Sequence, residues 1–513
     1  MLREYNVVVK DPRFVDVRVA SVYPSFYGVA MSSLGYHIIY DFLNSREDIW
    51  CERFIYPYRG SFESSSLLRD FDIISFSIHY EEDYFRVLEM LHRGGLEPRK
   101  GERVGPLVIA GGPTVTANPL PLADFVDLFV IGEAEPVLDD LVDTFMGLDD
   151  PRGALDEFKD IKGVYVPDNP AERVIVEDMD RACHPIRQIV SESDDPSFKP
   201  ALGHSFLLGV SRGCVRGCRF CMSGYLYRPK RETSLGKLFD VAERGKKATG
   251  LDTISLIGAA ASDYSRIDDL CEGLVDMGFR VSMPSLRIES VTENLLDVLA
   301  NGGLKTVTLA PESTWKIRRR LNKPISDDKV FEVTRMATSK DLSVKMYFLV
   351  GAPGETLDDL KELADLIRAL SRLGSVKFSI NPLVPKPHTP LQWEAFNLDD
   401  MKDRMSFLKS KLKGLPVKMG SPRSALIQHV LSTGGPEVSK LIEKAWQGKA
   451  TLRDWRLKSR GRKLGDELPW RKIDVGLRDD FIMEEYLKMK EDKLTSYCEL
   501  DSCYRCLKRT CES

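Results

Sequence analysis

Seven of the ten cysteines fall into two groups: Cys214, Cys218 and Cys221 in "CVRGCRFC", and Cys498, Cys503, Cys506 and Cys511 in "CELDSCYRCLKRTC". In a reducing compartment, thiols clustered in this way are metal ligands. The first group places three thiolates at i, i+4 and i+7 on a loop bearing Gly213 and Gly217, whose permissive backbone lets the chain wrap tightly. Three ligands leave one coordination position open. That suits a catalytic zinc or a four-iron four-sulfur cluster with one iron free to bind something other than cysteine. The second group, spaced C-x4-C-x2-C-x4-C, can close a tetrahedral site for zinc or mononuclear iron, or hold a second cluster. Because all four of its ligands come from protein, its default role is structural. Cys51, Cys183 and Cys271 stand alone and read as small buried hydrophobes.

The elements that must position the first loop are legible on both sides of it. From about residue 16 to 165, short apolar stretches ("VRVASVYP", "DIISFSI", "PLVIAGGP", "LFVIGEAE") alternate with helical ones, which implies βαβ units and a parallel sheet. Gly111, Gly112 and Pro113 end one strand and Gly132 with Glu133 ends the next, on the edge where open α/β sheets bind ligands. Ordinary tight turns would look the same, and no GxGxxG fingerprint points to a dinucleotide. Residues 168–203, rich in Asp, Ser and Pro, read as a linker. Six further strands are expected near 206, 253, 280, 305, 344 and 376, each followed by a helical pattern. Six β/α units are too few for a closed eight-strand barrel but suffice for an open, partial one. The cysteine loop follows the first of these strands, on the barrel's functional edge. The domain reading is therefore 1–167, Rossmann-like; 168–203, linker; 204–400, partial barrel; and 401–513, a small, mostly helical domain with the cysteine tail. Met401, Met405, Leu408 and Leu412 recur there at helical spacing and read as core.

The C-x3-C-x2-C loop, with Phe220 before its last cysteine and a β/α repeat behind it, resembles the radical S-adenosylmethionine (SAM) superfamily. The resemblance implies that Cys214, Cys218 and Cys221 hold a [4Fe-4S] cluster whose open iron binds SAM. One electron then cleaves the sulfonium to methionine and a 5′-deoxyadenosyl radical. Residues at successive strand ends are similar to the superfamily's cofactor contacts: Ser262 and Asp263, Ser285 and Arg287, Glu312, and Gly351 with Gly354. Tyr225 and Tyr227, just past the loop, are candidates to approach the open iron or the substrate, or else to pack beneath the loop through their rings.

"YPSFYGVAMSSLGYHIIYDFLNS", "SFSIHYEEDY", "IAGGPTVTANP" and "IGEAE" look like the cobalamin-binding half of cobalamin-dependent radical SAM enzymes. Tyr27, Gly111, Gly112, Pro113, Asn118, Gly132 and Glu133 are the cobalamin contacts this implies. The D-x-H-x-x-G motif that gives a histidine to cobalt in mutases is absent, which argues against a mutase. "NPLVPKPHTPLQW" (381–393) and "PWRKIDVG" (469–476) resemble one archaeal and bacterial branch of the group. The implied activity is methyl transfer to an unactivated sp3 carbon. The layout is similar to the archaeal C-methyltransferases of methyl-coenzyme M reductase, which makes a glutamine of that reductase's α subunit the candidate substrate and a ferredoxin-like protein the low-potential donor. Modification of RNA or lipid is the competing reading, supported only by the basic run "RDWRLKSRGRK" (453–463). A first domain kept only as scaffold is another. Methylthio transfer is disfavoured, because only Cys51 lies in the first region.

Composition is consistent with these readings. The 513 residues, 43% hydrophobic, suffice for about three globular domains. With 73 basic against 77 acidic residues, no global charge excess draws the surface to nucleic acid or anionic lipid. No apolar run spans a membrane and the start lacks a signal-peptide core, so the expectation is a cytoplasmic protein without a membrane partner.

Overall fold

The computed structural model describes residues 2–498. Its N-terminal part is a six-stranded sheet in the order Ile49–Ile55, Val17–Tyr23, Ile73–Ser77, Leu107–Gly111, Leu128–Val130 and Val164–Tyr165. The first five are parallel and the last is antiparallel. Both faces are covered, which is why the strands read as continuous apolar runs. Val17, Val19, Ile73 and Ile109 pack with helices Leu34–Ser45 and Leu138–Met146; Ala20, Val22, Ile74 and Val108 pack with helix Tyr84–Arg93 on the other face.

Strand Ile49–Ile55 does not show in the apolar pattern, because Glu52 and Arg53 interrupt it. Both are fully buried and paired. Glu52 takes Arg18 at 2.6 Å, and Arg53 takes Glu4 at 2.8 Å and Glu63 at 2.6 Å.

All six expected barrel strands are present, in two parallel sheets. Phe206–Gly209, Thr253–Ile257 and Arg280–Ser282 form one; Thr306–Glu312, Ser343–Val350 and Val376–Pro382 belong to the other. A parallel bridge between Leu286 and Leu309 joins them. The boundary expected at residue 400 cuts through this unit. Helix Leu398–Lys411 is a sixth crossover, and strand Val417–Met419 adds to the sheet with Phe378 opposite Val417. Met401, Met405, Leu408 and Leu412 form its buried stripe.

Residues 168–203 are built into the fold: Ala171–Glu172 pair with Ile473–Asp474, and Val190–Glu192 with Arg3–Tyr5. The remaining helices, Pro422–Thr433, Ser439–Trp446, Leu452–Lys458 and Asp479–Lys490, share one core with both sheets. Among the described residues no helix is long and apolar enough to cross a membrane.

Candidate functional site: the cysteine loop and the cavity between the two sheets

Strand Phe206–Gly209 feeds the cysteine loop, and a short ribbon closes the loop's base, with Ser211 opposite Glu232 and Arg212 opposite Arg231. Gly213 turns the chain at φ +82°, where a Cβ would fall 2.3 Å from the Tyr227 carbonyl oxygen, so no other residue fits. The loop's own backbone then folds the cysteines together. Cys221 N–H donates to Cys218 O at 3.0 Å, and Arg216 N–H points at Cys214 Sγ at 3.4 Å. Distant residues hold it from outside. Asn322 Nδ2 donates to Gly217 O at 3.1 Å, Arg219 N–H to Leu321 O at 2.9 Å, and Arg228 to the carbonyls of Gly224 and Arg216. The buried Arg219 guanidinium also meets Glu485 at 3.1 Å and Arg320 O at 2.9 Å.

The donor set fits an iron–sulfur cluster. Burial, and then the neighbouring Cys218 and Cys214, push the Cys221 thiol up to about 12, and burial raises Cys214 as well. Such thiols stay protonated in water, whereas a coordinating metal deprotonates them outright. Among the described residues no three His, Cys, Asp or Glu side chains converge on a single ion. A cube of iron and sulfide holds its ligands at separate corners, so this spacing does not oppose a cluster. Positive charge stands ready for the thiolates. Although burial works against its charge, Cys218, Glu289, Asp263 and Cys214 keep Arg287 firmly protonated, and Lys323 lies close enough to Cys221 to act on it.

The strand-end candidates divide into two sets. Asp263, Arg287 and Glu312 gather around the loop: Asp263 pairs with Arg216 at 2.9 Å and Arg287 at 3.4 Å, and Glu312, at φ +67°, pairs with Lys323 at 2.8 Å. Their ion pairs make them a charged frame around the cysteines. Ser262 is buried, and its Oγ accepts Arg287 N–H at 2.9 Å, so it positions the arginine. Ser285 is exposed.

Gly351 and Gly354 need no adenine to explain them. Both have positive φ, and a Cβ would meet Met401 Cε at 2.4 Å or Arg320 Nη1 at 2.6 Å. Their turn instead holds Glu355, which accepts Gly351 N–H at 2.8 Å and Arg404 at 3.1 Å while its Oε1 has no partner. Burial pushes this carboxyl up to about 7 from an ordinary 4.5. Between those two values the folded chain holds a proton that the unfolded chain has released, so stability falls as pH rises through the window. Glu355→Gln is expected to flatten this slope by up to about 3 kcal/mol, read from denaturant melts at about pH 5 and about pH 8. Equal slopes for the two chains would refute it.

Tyr225 is not placed to meet substrate. It is fully buried, with its OH donating to Gly217 O at 3.5 Å, and packs under the loop. Tyr227 faces a cavity of about 580 Å³ that lies between the carboxyl edges of the two sheets. Ser77, Gly111, Gly112, Pro113, Gly132 and Glu133 line it from one side, and Ser211, Arg212 and Gly213 from the other. Cys183 and His184, from the supposed linker, complete the wall. The cavity continues as an apolar channel past Val19, Ile73 and Ile109 toward Ile38, Leu43, Leu138 and Val142.

Tyr27 and Asn118 lie outside that wall. The buried Tyr27 donates to Glu4 at 2.6 Å, and Asn118 Nδ2 donates to Ser432 O at 3.0 Å and Gly434 O at 2.8 Å, pinning the C-terminal helices to the first sheet. Gly112 and Gly132, at φ +106° and +110°, are demanded by backbone: added Cβ atoms would meet Ile78 O at 2.5 Å and Val174 O at 2.1 Å. Glu133 is the clamp between the sheets. It accepts from Arg212 and Arg231, both at 2.8 Å, and from Val176 N–H at 2.7 Å. Burial alone would raise its pKa, but Arg231 and Arg212 hold it below the usual carboxylate range.

A large ligand with its own polar groups fits this chamber. A Cβ on Gly35 would meet nothing within 4 Å, and the exposed His79 lines the chamber with no hydrogen bond on its ring among the described residues. Arg212, Lys323, Asn322 and His79 also belong to the site, although none of them was singled out in the sequence; His79 lies within "SFSIHYEEDY". Arg212, directly before Gly213, carried a signal as well, whereas Asn322 and Lys323 carried none.

The two branch motifs meet each other elsewhere: His388, Gln392 and Trp393 line a second cavity of about 600 Å³ with Leu468, Trp470 and Ile473. His388 Nε2 sits 3.0 Å from Ala117 O, so these motifs also bind the C-terminal region to the first sheet. Of the tail cysteines, Cys503, Cys506 and Cys511 lie outside the described residues. Cys498 is half-buried, and its N–H donates to Val215 O at 3.3 Å, inside the cysteine loop.

The chain is similar to known proteins in sequence and in fold. The family "Radical SAM proteins, N-terminal" matches residues 35–167, and "Radical SAM superfamily" matches residues 208–367. Uncharacterized protein MJ0966 of Methanocaldococcus jannaschii is 30% identical over 433 residues, 83% of this chain and 90% of that protein. The chain belongs to the radical SAM superfamily. The ribosomal protein uS12 methylthiotransferase RimO of Pseudomonas aeruginosa is 24% identical over 259 residues, 45% of this chain, which spans 58% of that enzyme's length. The fold is similar to that of TsrM from Kitasatospora setae, a radical SAM methyltransferase solved with cobalamin and a [4Fe-4S] cluster, at 13% identity, TM-score 0.54 and 75% of each chain.

Proposed function

We propose that the chain is a cobalamin-dependent radical SAM methyltransferase acting on an unactivated sp3 carbon of a protein residue. The observation that carries this reading is the cavity between the two carboxyl edges, with the cysteine loop at its barrel side and an apolar channel along the first sheet. Cys214, Cys218 and Cys221 would hold the cluster, and the chamber would hold cobalamin with its nucleotide tail in the channel. When bound, these groups supply reductive cleavage of SAM and methyl transfer.

The chain's own residues set the conditions. Arg287 and Lys323 balance negative charge at the loop, and Arg287 can pair with the SAM carboxylate. Asp263 and Glu289 fix the arginine's fork, with Glu289 at 2.8 Å. Tyr227 lines the chamber, where its phenol would orient a substrate amide or water. The apolar walls exclude solvent from a radical.

A glutamine of methyl-coenzyme M reductase is the first substrate to try, on the likeness of residues 381–393 and 469–476 to that branch, with a ferredoxin-like donor in the cytoplasm. The cysteine tail would hold its own metal. An RNA substrate has less support. Trp455 in the basic run is buried, Arg456 pairs with Asp399 at 2.6 Å, and Arg462 donates to Thr433 O at 2.8 Å, so the run is a docked surface helix and its extension.

Anaerobic reconstitution with iron, sulfide and hydroxocobalamin, followed by desalting and metal counts, tests the reading. Cobalt near one per chain is expected. Ser75→Phe, which fills the cavity, is expected to lower retained cobalt at least tenfold, roughly 1.4 kcal/mol or more in binding, with iron unchanged. No cobalt beside an intact cluster would reduce the first domain to a scaffold.

A further inference from the structure

We propose that the imidazole of His79 is the protein's axial ligand to cobalt, reaching it from the first sheet's side of the cavity. This rests on the cobalamin reading above.

The argument begins with strand order. The chain goes from Val17–Tyr23 to its neighbour Ile49–Ile55, then crosses back to place Ile73–Ser77 on the other side of Val17–Tyr23. The carboxyl ends of Val17–Tyr23 and Ile73–Ser77 therefore flank the point where connections leave in opposite directions. In open α/β sheets a crevice opens there, and ligands bind in it. His79 stands at that crevice, and its ring packs against Tyr23 with centroids 5.2 Å apart. Tyr23 is in turn held by the edge of Tyr36, also at 5.2 Å.

The backbone that carries His79 is fixed. Ile78 N–H donates to Gly111 O at 2.9 Å, and Ile78 O accepts Thr114 Oγ1 at 3.0 Å. A ligand on so rigid a mount keeps its direction. Its ring is also available. His79 is exposed to the cavity, and among the described residues no hydrogen bond occupies either ring nitrogen. His184, the other histidine of the wall, cannot serve: its Nε2 accepts Gly209 N–H at 3.1 Å and its Nδ1 is shut off from the cavity. Imidazole is a common nitrogen donor to transition metals. Arg212, Gly213 and Tyr227 line the cavity from the barrel side.

The test uses the full chain, grown with ¹⁵N-histidine, reconstituted with hydroxocobalamin and reduced to Co(II), and reads the electron paramagnetic resonance spectrum. A histidine ligand splits each cobalt line into a doublet when labelled and a triplet when unlabelled, whereas the cofactor's own benzimidazole stays unlabelled. The doublet is expected in the native chain. It should be lost in His79→Gln while iron and melting temperature are unchanged and cobalt is retained. Retained cobalt with no nitrogen splitting, or with a doublet that survives His79→Gln, would overturn the inference and leave the cobalamin reading standing. Failure of the native chain to retain cobalt would overturn both.

Discussion

A Cys218→Ala chain is expected to lose its cluster absorbance and to form 5′-deoxyadenosine only at background, while folding as before. The hydrogen bond that Cys218 accepts is made by its backbone, Cys221 N–H donating to the Cys218 carbonyl, and alanine keeps it. What alanine removes is one of three corner ligands, and two thiolates do not retain the cluster. The loop itself stays in place, because Asn322, Arg219 and Arg228 hold its backbone without using any sulfur. Cys271, fully buried in helix Ile267–Asp276, provides the control. Cys271→Ala is expected to cost some stability and leave deoxyadenosine formation intact. An unchanged rate in Cys218→Ala would dismiss the radical chemistry altogether.

The second large effect belongs to Glu133. Replacing it with alanine strips the partner from Arg231, whose side chain is 8% exposed, and from Arg212, at 21%. Arg212 keeps Glu135 at 2.6 Å, but among the described residues Arg231 has no second carboxylate and is left buried with its charge. Breaking a buried pair in this way costs about 3–5 kcal/mol. Denaturant melts are expected to show that loss, and cobalt retention should fall with it, since the clamp shapes the cavity wall. Arg231→Met added to Glu133→Ala is expected to restore part of the stability, because the uncompensated charge is gone. A loss below about 1 kcal/mol would show that solvent reaches the arginines and that the clamp is loose.

Elements whose physics is local were legible in the sequence. "DIISFSI" and "PLVIAGGP" became strands because both faces of a parallel sheet are buried, and the cysteine loop was readable because ligand spacing is a local property. Ile49–Ile55 was hidden because Glu52 and Arg53 are neutralised by Arg18, Glu4 and Glu63, partners that only the fold assembles. The same limit applied in the site. Asp263, Arg287 and Glu312 were found from their place at strand ends, yet their pairing with Arg216 and Lys323 needed the three-dimensional arrangement. Tyr27, Tyr225 and Asn118 sat in suggestive stretches but spend their polar groups on Glu4, Gly217 and the 432–434 backbone. His79 had no spacing signature at all, since its position follows from the order of strands in the sheet.

The supports of the cysteine loop also set an order on the protein's birth. Arg219 is fastened by Glu485 and by the carbonyl of Arg320, Gly217 by Asn322, and Asn322 in turn accepts Thr495 N–H at 2.9 Å. These partners are translated roughly a hundred to more than two hundred and sixty residues after the loop, at a ribosomal pace of about 5–20 residues per second. The nascent cysteines therefore wait some tens of seconds for their last braces. The loop reaches its braced form only once residues 485–495 have been made and docked onto it.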